Sequence, residues 1–263
     1  MPFDVFDMMM LAGAPVRYSP PTWTPASLGA ALVGFLDFED NTKITTVSGA
    51  ISQIVDSVNA AAWTQGTSSS RPLLTTSATT GRQVAKLDGV DDFLDNAPVN
   101  AAYPLTGTVV WACGCVQLAA GADASARYLL TQGGTALTTD IGFRRRNQSN
   151  ISQLVGNIGA TTTVAGPAAN VSPFIVFSGP SLAQQTVTGG NCTPTLNNVD
   201  APAPIAVTLP NNNTRGRLGA QASAAPANFF QGEYSFFLFL NAALSSDQQN
   251  NLNIWTAGRL GLR

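Results

Sequence analysis

From Leu28 onward the chain alternates short apolar runs with polar positions, and turn signals interrupt it at close intervals. Ala31–Phe38, Gln83–Leu87, Thr108–Leu118, Arg127–Thr131, Ile141–Arg145, Ile151–Gly156, Phe174–Ser178 and Phe230–Leu240 read as strands, because apolar residues recur at every second position or in compact β-branched and aromatic runs. Gly133-Gly134, Gly189-Gly190 and Pro210-Asn211-Asn212-Asn213 mark turns between them. Many short strands with polar turns predict an all-β fold, an antiparallel β-sandwich or jelly roll, rather than βαβ units. In Phe230–Leu240, Phe236, Leu238 and Leu240 alternate with Phe237 and Phe239, so both faces are apolar. Such a strand is central, covered on one side by an opposing sheet and on the other by a terminal helix.

That helix is the one helical pattern in the chain. Ser245 is placed as its N-cap, with Gln248 three residues on to complete a capping box. Leu252 and Trp255 then share one face, and Gly258 or Gly261 can end it.

The first 26 residues follow a different pattern. Phe3, Phe6, Met8, Met9, Met10 and Leu11 precede Pro15, Pro20, Pro21 and Pro25. Prolines at this density forbid regular helix and favour an extended arm. The expected organisation is an N-terminal docking arm over 1–26, with those six apolar residues as its docking peg, and one β domain over 27–263. The other reading of the arm is that it folds back on its own domain. No run of apolar residues is long enough for a membrane span, so membrane insertion is not expected.

Composition narrows the chemistry. Of 263 residues, 44% are hydrophobic, enough for a sizeable core, but only 11% are charged, and the net charge is −2. Nucleic-acid binding is not expected, since it needs a basic face to displace counterions. The absence of histidine removes Ser-His-Asp and Cys-His catalysis and His-ligated zinc. Cys113 and Cys115 share a strand face and read as small buried hydrophobes, as does Cys192; a disulfide to Cys192 is the alternative. Glutamate occurs only at 39 and 233, in unrelated segments.

Four groups remain as candidate sites. Asp88, Asp91, Asp92 and Asp95 are hard oxygen donors near an Asp-Gly turn, and could hold calcium or simply stabilise the turn. Otherwise no cofactor is expected. Asp37 and Glu39 lie two apart and can share a strand face, at a strand end capped by polar residues. Arg144 and Arg146, on one face of a strand and followed by Asn147, could bind an acidic glycan or end a solvated strand. Trp63, in a polar stretch, is the tryptophan best placed to stack on a sugar ring.

Two blocks carry a family resemblance. The first runs from Leu28-Gly-Ala-Ala-Leu-Val-Gly-Phe-Leu-Asp-Phe-Glu-Asp40 to Leu87-Asp-Gly-Val-Asp-Asp-Phe-Leu94. The second comprises Arg217-Leu-Gly-Ala220, Phe230-Gln-Gly-Glu-Tyr-Ser-Phe-Phe-Leu-Phe239 and Ala243-Leu-Ser-Ser-Asp-Gln-Gln249. Together they resemble the laminin-G-like branch of the concanavalin A-like lectin/glucanase jelly rolls, which recurs in bacteriophage virion proteins. The resemblance implies a non-enzymatic virion structural protein on the particle surface. Its arm would bind other virion proteins and its lectin-like domain host surface polysaccharide, as a tail, baseplate or head-fibre adhesin and a homo-oligomer. A capsid decoration protein without a ligand is the alternative. A polysaccharide-degrading enzyme is disfavoured, because no pair of glutamates matches the glucanase arrangement.

Overall fold

The computed structural model describes residues 23–97, 102–103, 106–117, 127–133, 141–148, 151–158, 179–189, 191–196, 199–200, 205–206, 215–221 and 225–261. The docking residues Phe3, Phe6, Met8, Met9, Met10 and Leu11 lie outside these, as does the expected strand Phe174–Ser178. The strands are β1 (Leu32–Asp37), β2 (Ile44–Val47), β3 (Ala50–Val55), β4 (Ala62–Thr64), β5 (Leu73–Thr76), β6 (Gln83–Asp88), β7 (Leu94–Asn96), β8 (Val109–Gln117) and β9 (Arg127–Gly133). There follow β10 (Ile141–Gln148), β11 (Ile151–Ile158), β12 (Gly179–Thr188), β13 (Asn191–Leu196), β14 (Val199–Asp200), β15 (Ile205–Ala206), β16 (Arg215–Leu218) and β17 (Gln231–Leu240). The chain closes with one α-helix, α1 (Ser246–Leu260). The fold is thus all-β and antiparallel with a C-terminal helix. No helix among the described residues is long and apolar enough to cross a membrane.

β17 is the centre. It pairs with β8 along one side, and with β6 and then β1 along the other. Its register against β8 shifts between Tyr234 and Phe236, leaving Ser235 as an inserted residue. This bulge puts Tyr234 on the same face as Phe237 and Phe239, which plain alternation would forbid. Those three rings enter one buried cluster, while Phe236, Leu238 and Leu240 enter a second cluster with Leu252 of α1. The strand is covered twice, as its sequence predicts.

From β17 the sheet runs one way through β8 and β12 to β13, and the other way through β6, β5, β3, β4, β7, β16 and β9 to β10 and β11. The second arm curls back over the first. Trp63 of β4, Leu94 of β7, Leu129 of β9 and Leu218 of β16 meet Trp111, Tyr234, Phe237 and Phe239 in the larger cluster. Trp63 stacks on Phe239 with ring centroids 5.8 Å apart. The Tyr234 hydroxyl donates to the Leu129 carbonyl at 3.0 Å, so this buried phenol also ties the two arms.

Helix α1 is placed by its caps. The Ser245 hydroxyl accepts from the Gln248 amide at 3.2 Å, and the Gln248 side chain accepts from the Ser245 amide at 2.9 Å. Gly261 ends the helix in the left-handed region, at φ 67°. Leu252 is buried, and Trp255 packs edge-on to Phe236 at 4.7 Å between centroids. Cys113, Cys115 and Cys192 are buried free thiols. Burial pushes the Cys113 thiol well up and that of Cys192 to about 12, so both stay protonated and behave as small hydrophobes.

Candidate functional site

β12 and β13 present two unlike faces. Ala183, Val187 and Cys192 point into the larger core. On the other face Gln184 lies opposite Thr195, Thr186 opposite Thr193, and Thr188 opposite Asn191. The result is a ladder of amides and hydroxyls without charge. The Thr108 and Thr188 hydroxyls extend it, 2.9 Å apart. At its other end the ladder meets α1. There Gln184 and Gln249 exchange amide hydrogen bonds of 3.1 and 2.9 Å, and Gln249 donates also to Asn253 at 3.0 Å.

Between ladder and helix lies a cleft of about 310 Å³. Gln184, Thr186, Thr195, Ser246 and Gln249 supply its polar lining, and Val110, Ala243 and Leu244 its apolar wall. No charged side chain lines it among the described residues. Sequence reasoning missed this site. The signal was the period-two recurrence Gln184-x-Thr186-x-Thr188 and Thr193-x-Thr195, which marks strand faces but looks like loop when only apolar alternation is sought.

The acidic candidates are resolved differently. Asp37 and Glu39 do share a face, and both hold Arg259 in the last turn of α1. Arg259 makes a two-pronged contact with Asp37, lies 3.2 Å from Glu39, and sits over the Trp255 ring at 5.0 Å. Arg82 approaches Glu39 from outside at 3.8 Å. Burial raises the Glu39 pKa in spite of both arginines. The group is a clasp between strand and helix.

Asp88, Asp91 and Asp92 do converge, with carboxylate oxygens within 4.8 Å of one another. Gly89 between them has φ 80°, as the Asp-Gly turn predicts. Asp88 accepts from the Val90 amide at 2.7 Å, Asp92 from the Asp88 amide at 2.9 Å, and Asp91 from the Ser70 hydroxyl at 3.0 Å. Burial, followed by the charges of Asp88 and Asp91, pushes the Asp92 pKa up to about 7. Asp95 is not part of this group. It pairs with the buried Arg217 through two bonds of 2.6 and 2.9 Å, while Phe93 lies under the guanidinium at 4.5 Å.

The expected sugar-stacking role of Trp63 is corrected. Its ring is 0% exposed, and its indole N–H donates to the Tyr103 hydroxyl at 2.9 Å. Tyr103 in turn donates to Asp56 at 2.7 Å. The polar neighbours of Trp63 in sequence conceal a strand residue whose partners come from Tyr103 and Phe239. Arg144, Arg146 and Asn147 lie in β10, flanked on both sides by β9 and β11; their side chains lie outside the described residues.

No family model matches this chain, and no curated protein does. Solved structures do share its fold. A Trypanosoma rangeli sialidase matches at 15% identity with a TM-score of 0.52, over 88% of this chain and 33% of its own. The same enzyme in complex with sialic acid matches at 15% identity and a TM-score of 0.57, over 86% of this chain and 33% of its own. An arabinofuranosidase complexed with arabinofuranosyl-α-1,2-xylobiose matches at 11% identity and a TM-score of 0.56, over 87% of this chain and 60% of its own. The chain spans about a third of the length of the sialidases.

These neighbours overturn the resemblance stated above. The structures named above are glycosidases, not concanavalin A-like lectins or phage particle components. A non-enzymatic virion role, as adhesin or as decoration protein, therefore loses its support. So does the expectation that the chain is no enzyme, which rested on the missing histidine and the missing glutamate pair; neither bears on aspartates, and three aspartate carboxylates converge here.

Proposed function

We propose that this chain is a carbohydrate-active protein, acting on glycans as part of a glycoside-hydrolase type of machinery. The observation that carries the reading is the shared fold: glycosidases align with nearly the whole of this chain while extending well beyond it. The uncharged amide and hydroxyl ladder of β12 and β13 supports it, because sugars are recognised by such groups. We also read the curled sheet as a two-layer sandwich, with β17, β8 and β12 facing β4, β7, β16 and β9 across the larger core.

For bond cleavage, the carboxylates to test are Asp88, Asp91 and Asp92. Their carboxylate oxygens lie within 4.8 Å of one another, inside the roughly 5–5.5 Å spacing of retaining hydrolysis. With its pKa at about 7, Asp92 keeps a proton near neutral pH, as a general acid must. Calcium binding is the competing use of the same three side chains, since a hard cation takes ionised carboxylate oxygens and would displace the proton on Asp92.

The experiment is direct. The full chain is incubated with aryl sialosides, aryl arabinofuranosides and a panel of polysaccharides, with and without calcium, and both binding and release are measured. Cleavage lost on Asp92→Asn assigns the acid, and a calcium-dependent rise in Tm lost on Asp91→Asn assigns the ion. Absence of both binding and cleavage with every glycan tested overturns the reading.

A further inference from the structure

We propose that the cleft between β12, β13 and the start of α1 binds an uncharged saccharide; this rests on the carbohydrate-active reading and specifies its site and ligand class. Sugars present hydroxyls that both donate and accept, and C–H faces that seek apolar cover. The cleft matches both demands. Thr186, Thr195 and Ser246 carry hydroxyls, which both donate and accept, and Leu244 with Val110 forms an apolar wall.

Charge decides the ligand class. An acidic sugar is held by a guanidinium or ammonium group on its carboxylate. Among the described residues no cation lines this cleft. Asp247, in the first turn of α1, offsets the positive end of the helix dipole that would otherwise favour an anion there. The site therefore selects neutral saccharides, in contrast with the sialic acid named for one of the fold's neighbours.

The cleft is also pre-organised. Gln184 is 4% exposed, and its reciprocal bonds with Gln249 fix two of the lining amides before any ligand arrives. Little side-chain freedom is then lost on binding. At about 310 Å³ the space lies at the lower end of the roughly 300–1,000 Å³ of small-molecule sites, which suits a short segment of a glycan.

The test is a titration of the isotope-labelled full chain with xylohexaose, maltohexaose and 3′-sialyllactose, followed by NMR and calorimetry. An uncharged hexasaccharide is expected to shift amide resonances over residues 184–195 and 243–249. Ala243→Trp, which fills the cleft from an exposed position, and Thr186→Val, which removes one hydroxyl at near-constant shape, should each weaken binding at least about tenfold while Tm stays unchanged. If 3′-sialyllactose alone binds, the assignment of ligand class is wrong. Equal affinity of both variants for an uncharged saccharide removes the cleft as the site but leaves the carbohydrate reading standing. Failure of all three glycans to bind, in a chain that also cleaves none, overturns both.

Discussion

Arg259, in the last turn of α1, grips Asp37, the last residue of β1, across 222 residues of sequence. The contact is two-pronged and three-quarters or more buried on both sides, and Glu39 closes on the same guanidinium. Losing the arginine leaves Asp37 without its counter-charge and Glu39 with only the outer Arg82. Arg259→Met is expected to cost about 2–4 kcal/mol, read as a lower denaturant midpoint. Asp37→Asn in the same chain should recover part of the loss. Equal additive losses in the double mutant would show that the clasp has no coupling energy.

The bulge at Ser235 brings Phe236 directly over Gly114 of β8. A Cβ at position 114 would lie 2.2 Å from the Phe236 ring, far inside van der Waals contact. Gly114→Ala should therefore destabilise by about 2–3 kcal/mol through overpacking. Phe236→Leu removes the clashing edge and should rescue it. Calorimetric Tm values for the four members of the cycle check this, and the rescue is the decisive sign.

Trp63 gives a prediction about what it does not do. Trp63→Ala opens a cavity against Phe239 and removes the indole N–H donated to the Tyr103 hydroxyl, at a cost of about 3–5 kcal/mol. Trp63→Phe keeps most of the packing and should leave glycan binding at the wild-type level while lowering Tm. A selective loss of binding at unchanged Tm would contradict the burial.

Asp92 sets a pH dependence of unusual sign. Its folded pKa, at about 7, lies above the unfolded value of 3.8, because burial and the neighbouring carboxylates disfavour the ionised form. The stabilisation is therefore complete below pH 3.8 and is lost as the pH rises through about 7. Glu39 and Asp56, also raised mainly by burial, act in the same direction. Asp92→Asn should flatten the fall in stability over this range. At pH 8 it should raise Tm by roughly 2–4 °C for each kcal/mol recovered. A steeper dependence in the variant would contradict the assignment.

What was legible in the sequence was local. The strands β1, β6, β8, β9, β10, β11 and β17 follow from alternation or from compact apolar runs, and α1 follows from Ser245 and Gln248. What was not legible depends on partners remote in sequence. Trp63 reads as exposed because Thr64, Gln65 and Gly66 follow it, yet Tyr103 and Phe239 bury it. Arg259 gives no sign of Asp37, nor Asp95 of Arg217. The polar strands β12 and β13 escaped because their outward face carries threonine and glutamine, and half of the cleft escaped with them. The aspartate turn at Asp88-Gly89 was legible as a turn; that its three carboxylates converge is a fact of the fold.

The position of β17 has a consequence for how the polypeptide comes into being. Its partners β1, β6 and β8 are all made before it, and residues 32–117 leave the ribosome while the strand that joins them is still to be translated. Until residue 240 emerges, the edges of β1 and β8 and the apolar face that α1 later covers stay open to other chains. Assembly of this sheet is therefore a late, long-range event, and a chain that stops before Gln231 lacks the strand that joins β1, β6 and β8.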